Sequence, residues 1–125
     1  MSSFQNQQPA LLCQTGTGAA GAGVTLTLTA VASQFHYLCM LEIVQFAAAL
    51  LTAAATPVLV TTTNLNNTPT FSLSATALAA GADERFFYNF GYPVKSSVVN
   101  TNTTIVAPGT TNVIWRLNAW YYAGP

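Results

Sequence analysis

From Val24 the chain repeats with a period of two: Val24, Leu26 and Leu28 fall on one side, Thr25, Thr27 and Thr29 on the other. That alternation marks a strand buried on one face. After Ser33 and Gln34, the stretch Phe35 to Phe46 sets Tyr37, Cys39, Leu41 and Ile43 against His36, Leu38, Met40 and Val44. Both faces of this stretch are largely apolar, as expected of a central sandwich strand. Val58 to Thr63 is β-branched, Asn64 to Pro69 carries turn chemistry, and Phe71 and Leu73 resume the alternation. Between them, Ala47 to Ala55 reads as a connection in which Ala and Leu favour a helical turn, stopped by the Thr56-Pro57 step. Further on, Phe86, Tyr88, Phe90 and Tyr92 share one face while Arg85, Phe87 and Asn89 take the other, with Pro93 as a strand end or edge mark. Thr103 to Ala107 and Val113 to Tyr122 complete the set around the Pro108-Gly109 turn. Seven or eight short strands separated by turns predict an all-β antiparallel sandwich of jelly-roll type.

Residues 1 to 23 carry no such pattern. Gln and Asn come early and Gly16, Gly18, Gly21 and Gly23 late, a composition that predicts an extended N-terminal arm before a sandwich domain over residues 24 to 125. Leu11, Leu12 and Cys13 form an apolar plug within it, and the arm is expected to cross onto a neighbouring copy or another subunit with Leu11 and Leu12 as anchors. The alternative is a tail without a partner.

Charge is scarce. Of 125 residues, 51% are hydrophobic and only 5% are charged, with a net charge of zero, against roughly 25% charged in an ordinary soluble domain. A free monomer keeps itself soluble with mixed charge and a net charge away from zero, so much of this surface is expected to meet protein in a homo-oligomer, a trimer by preference. Lys95, Arg85 and Arg116 are too few to neutralise a phosphate backbone, which argues against nucleic acid. The apolar run Phe35 to Ala55 has the length of a membrane span, about 20 residues. Glu42 and Gln45 sit in its middle, however, and a central carboxylate costs about 2.5 to 3.5 kcal/mol. No membrane is expected. Met1 to Pro9 has no basic residue before an apolar run, so the expectation is synthesis in the cytoplasm without a signal peptide.

Catalytic chemistry finds little footing, and no enzymatic activity, metal or cofactor is expected. His36 and Cys39 are three apart on a strand and point to opposite faces. His36 and Glu42 share a face in a regular strand but lie roughly 20 Å apart at about 3.3 Å per residue. Asp83 and Glu84 follow Gly81 in an expected solvated turn, and the glycine-rich run lacks the GK[ST] ending of a phosphate loop. Cys13 and Cys39 are expected as two buried thiols, with a single bridge as the alternative. On the last strand, Trp115, Leu117, Ala119 and Tyr121 alternate with Arg116, Asn118, Trp120 and Tyr122. If the odd set is buried, the even set, with Phe87, offers aromatics beside Arg and Asn, a composition enriched in protein interfaces. Capping of the sheet by a loop and a sugar-binding platform are the alternatives.

The segments Gly23 to Tyr37, Phe90 to Ser97, Thr103 to Pro108 and Val113 to Tyr122, taken in order, resemble small β-sandwich virion proteins of tailed bacteriophages, among them capsid decoration or cement proteins. The resemblance lies in the order of patterns over residues 23 to 122 and carries over no functional residue. It implies a jelly-roll-like sandwich without enzymatic activity, homo-oligomeric and often trimeric, bound to the major capsid protein. A structural virion protein on the capsid surface is therefore the expected function, most specifically a decoration protein that stabilises the head between capsid subunits. A host-adhesion or carbohydrate-binding module of a tail or fibre is the alternative.

Overall fold

The computed structural model describes residues 10 to 125. It contains eight strands: β1 (Leu12–Thr17), β2 (Val24–Leu28), β3 (Phe35–Ala47), β4 (Val58–Thr63), β5 (Phe71–Leu73), β6 (Asp83–Lys95), β7 (Thr103–Ala107) and β8 (Val113–Gly124). They form two four-stranded sheets, ordered β1-β8-β3-β6 and β2-β7-β4-β5. Every pairing is antiparallel. The chain is an all-β sandwich, and none of its described residues forms a helix long and apolar enough to cross a membrane.

The period-two segments build the core. Val24, Leu26 and Leu28 of β2 share the inward side of their sheet with Ile105 and Ala107 of β7, Val60 of β4 and Phe71 and Leu73 of β5, and this layer packs on Leu38, Leu41, Ile43, Trp115, Leu117 and Ala119 of the other sheet. Trp115 is fully buried, and its indole N–H donates to the Pro108 carbonyl at 2.9 Å, so the largest core side chain leaves no polar atom unpaired. Asn64, Asn67, Asn100 and Asn112 take left-handed φ values between 59° and 66°, conformations that Asn tolerates and that reverse the chain tightly. No helical turn forms over Ala47 to Ala55; Leu51 instead bridges to Leu78 through a pair of backbone hydrogen bonds.

Two features depart from a regular alternation. In β3 the register shifts between Leu38 and Met40, so Cys39 is an extra residue against β8. Such a bulge exchanges odd and even faces along one strand. His36 and Leu38 point inward before it, Leu41 and Ile43 after it, and Glu42 therefore lies on the opposite side from His36 rather than sharing its face. In β6, pairing with β3 lapses between Asn89 and Val94. Phe86, Tyr88 and Phe90 share one face, which packs against the core, but Tyr92, expected with them, is 90% exposed and does not continue it.

Within the segment expected as an arm, Leu12–Thr17 is β1 and pairs with β8 from Leu12–Tyr121 to Thr17–Arg116. Almost all of its residues remain exposed. Backbone hydrogen bonds, not apolar burial, attach it, which is why no hydrophobic pattern announced it. Residues 1 to 9 of the expected arm lie outside the described residues.

Candidate functional site

The outward side of the sheet β1-β8-β3-β6 gathers the chain's chemistry. Six residues are charged, namely Glu42, Asp83, Glu84, Arg85, Lys95 and Arg116. Register places all but Glu84 on this one face. On β8 the odd residues Val113 to Ala119 are buried and Arg116, Asn118, Trp120 and Tyr122 alternate outward. Phe87 joins them from β6, 55% exposed, with its ring centroid 6.1 Å from that of Trp120. Five of the residues marked in the sequence as a candidate interface thus share one surface. Leu11 and Leu12 do not: they lie half exposed at the start of β1, where Leu12 pairs with Tyr121 of the inward-facing set.

Three zones run along the face. At one end Glu42, Asp83, Arg85, Arg116 and Asn118 line a shallow depression of about 320 Å³ with Val44 at its centre. Arg116 and Arg85 are both register partners of Val44, from opposite neighbours, and so flank it about one strand spacing away on each side, about 4.8 Å. Glu42 accepts a hydrogen bond from the Asn118 amide at 2.8 Å and meets Arg85 at 4.0 Å. Arg85 also reaches Asp83 at 3.6 Å, while Asn118 accepts from the Thr15 hydroxyl at 2.8 Å. Arg116 touches Thr17 at 3.4 Å and makes no ion pair among the described residues. The middle zone is Trp120, Met40 and Phe87. At the far end Tyr37 stacks on Tyr122 with centroids 4.8 Å apart, and the Lys95 ammonium lies 4.1 Å above the Phe35 ring. Burial raises the Tyr122 phenol above its ordinary range, reinforced by the potential charges of Cys39, Tyr37 and Tyr92, so it stays neutral at physiological pH.

His36 is 1% exposed and turned inward. Its Nε2–H donates to the Thr29 carbonyl at 2.8 Å, and its Nδ1 is hydrogen-bonded to the Thr103 hydroxyl at 2.7 Å. The Asn64 amide completes the network by donating to the same hydroxyl oxygen at 3.1 Å. Both ring nitrogens serve to tie β3 to β7 and to the end of β2. Among the described residues, no group of three or more His, Cys, Asp or Glu side chains is placed to hold a metal ion. The cysteines are both free thiols; Cys39 is partly buried with its pKa raised by burial, and Cys13, expected in a core, is exposed because its strand lies at the sheet edge.

Glu42, Asp83 and Met40 were not singled out in the sequence as members of this surface. The parity change at Cys39 concealed Glu42. One signal was available: a carboxylate in the middle of an apolar strand is stable only facing outward, whereas Leu38 and Leu41 both belong inward, so an extra residue had to lie between them. No protein-family model and no curated protein matches this chain.

Proposed function

We propose that this chain is a non-catalytic structural protein that works in an assembly by docking the outward face of β1-β8-β3-β6 onto another protein. The observation that carries the reading is the concentration of five of six charges, with Trp120, Phe87, Met40 and Tyr122, on one uncovered sheet. Aromatic anchors ringed by charge give such a surface both affinity and register. Strand pairing is nested, β1 with β8, β2 with β7, β3 with β6 and β4 with β5, which supports a jelly roll, an architecture that viral capsid proteins and lectins both use. Fold alone does not assign function. Combined with the order of patterns along the chain and its low charge, it favours a bacteriophage virion protein, specifically a capsid decoration protein seated between major capsid subunits and trimeric with itself. Leu11 and Leu12, half exposed at the start of the edge strand β1, then add an apolar contact at that edge of the sandwich. Mass spectrometry and cryo-EM of purified particles test this: the sandwich is expected on the shell with Trp120 toward the capsid floor, and absence of the chain from particles overturns the virion role.

The tilted Trp120–Phe87 pair, beside the Asn118 and Glu42 hydrogen-bonding groups, supports a second reading as a carbohydrate platform of a tail or fibre. Glycan-array binding that is lost in Trp120→Ala would favour it over protein docking.

A further inference from the structure

The edge strands of the two sheets are finished differently. β6 carries Asp83, Glu84, Arg85, Pro93 and Lys95, charges and a proline of the kind that keep an edge strand from recruiting another chain. On the second sheet β5 is three residues long, and β2 begins against β1, where a Cβ on Gly16 or Gly18 would stand 2.9 or 2.6 Å from a methyl of Val24. β1 has none of these devices. Leu12–Thr17 holds no charge and no proline, and its register against β8 runs without a shift.

One hydrogen bond fixes where its free backbone groups point. Gly18 N–H donates to the Trp115 carbonyl at 3.0 Å, one step past the last register pair, Thr17 with Arg116. In an antiparallel ladder the N–H and C=O of one residue point to the same side, and successive residues alternate. Leu12, Gln14 and Gly16 therefore bond to β8 as Gly18 does, whereas Cys13, Thr15 and Thr17 aim three donors and three acceptors at the open rim. All three residues are exposed, and such a row is a template for a further strand. Beside them Leu12, on the inward side by its pairing with Tyr121, stays 47% exposed, so the core leaves it uncovered.

We infer that β1 is a strand-addition site: it takes one extended segment of another protein, antiparallel to β1, with an apolar residue turned to the side of Leu12. Main-chain hydrogen bonds supply the affinity in this mode of recognition, and alternate side chains supply the selectivity. A second copy of β1 fits less well. Paired antiparallel about Thr15, the register that engages every free group, it sets Leu12 against Gly18 and Gln14 against Gly16 of the other copy. A glycine has no side chain to cover a leucine. Strand addition at this rim is independent of what the outward face does, because it uses backbone groups at the edge of the sheet rather than the side chains across it.

The test is NMR of the full chain under reducing conditions, with a blocked peptide of alternating threonine and valine as the probe. In the chain alone, the amides of Gln14, Gly16 and Gly18 are expected to resist hydrogen exchange and those of Cys13, Thr15 and Thr17 to exchange freely. Adding peptide should protect the second set saturably. Antiparallel pairing turns the peptide's threonine N–H groups toward β1 when its valines cover Leu12, so N-methylation of the threonines should abolish binding and N-methylation of the valines should not. Thr15→Pro removes the central donor while leaving the ladder to β8 whole, a place where an edge strand tolerates proline. Affinity should then fall about five- to tenfold, the loss of one backbone hydrogen bond. Thr15→Val, which loses the hydroxyl bonded to Asn118 but keeps the donor, should bind as the parent does. No response to the peptide overturns the inference, as does binding indifferent to which set is methylated, or equal affinity in Thr15→Pro. Protection of Cys13, Thr15 and Thr17 without peptide also overturns it, assigning the rim to a second copy where protection rises with chain concentration and to the chain itself where it does not.

Discussion

Gly23 sits where no side chain fits. A Cβ there would lie 2.9 Å from the Ala107 carbonyl oxygen and 3.1 Å from the Gly109 nitrogen, both backbone atoms of the neighbouring turn. Gly18 meets a related limit, with its would-be Cβ 2.6 Å from a methyl of Val24. Read as composition, these glycines suggest a loose arm; in the fold, they let the chain leaving β1 press against β2 and the β7–β8 turn. Composition reports backbone freedom and close approach with the same letter, so this part of the fold was not legible. Gly23→Ala is expected to lower stability by about 1 to 3 kcal/mol, because backbone on both sides cannot retreat. Gly91→Ala, whose Cβ would meet nothing within 4 Å, should stay within about 0.5 kcal/mol of the parent. Urea unfolding of the two variants decides it, and equal losses would remove the close-approach argument.

Strands were legible in proportion to how much they bury. Alternation in Val24–Leu28 and over Val113 to Ala119 corresponds residue for residue to the inward and outward sets, because one apolar face must meet the core. β1 buries little and left no trace; β3 buries much but hides a change of phase at Cys39. That phase change brings Glu42 onto the outward face while His36 stays in the core. Deleting Cys39 therefore restores an unbroken alternation, Leu38 inward, Met40 outward and Leu41 inward, in register with Tyr121, Trp120 and Ala119. Deleting Ile43 breaks a regular stretch and forces either half of β3 to reverse its faces. The first deletion should retain dispersed amide signals and cooperative thermal unfolding, and the second should lose both. Two folded deletion variants, or two unfolded ones, would refute the bulge as the phase-setting residue.

At the scale of the whole molecule, the two outer surfaces differ in kind. One sheet carries nearly all the charge; the other turns outward Thr25, Thr27, Thr61, Thr63, Thr104, Val106 and Leu59, with no charged residue among them. Leu59, the second residue of β4, is 45% exposed. On the proposed reading the two surfaces divide the work of an assembly: the charge-free face would join copies of the chain, and the charged face would register the assembly on its partner. Salt separates them, since contacts between exposed charges are screened beyond about 8 to 10 Å at physiological ionic strength, while apolar burial is not weakened by it. Light scattering of the purified chain at micromolar concentration should give three times the 13.1 kDa of one copy, unchanged when sodium chloride is raised. Leu59→Asp should reduce it to a folded monomer, because a carboxylate buried without a partner in the contact is not offset there. Arg116→Glu should leave the trimer intact and weaken attachment to particles, as should salt. A parent chain that scatters only as a monomer, or a trimer that dissolves in salt and survives Leu59→Asp, would show that the copies do not meet through the threonine-rich sheet.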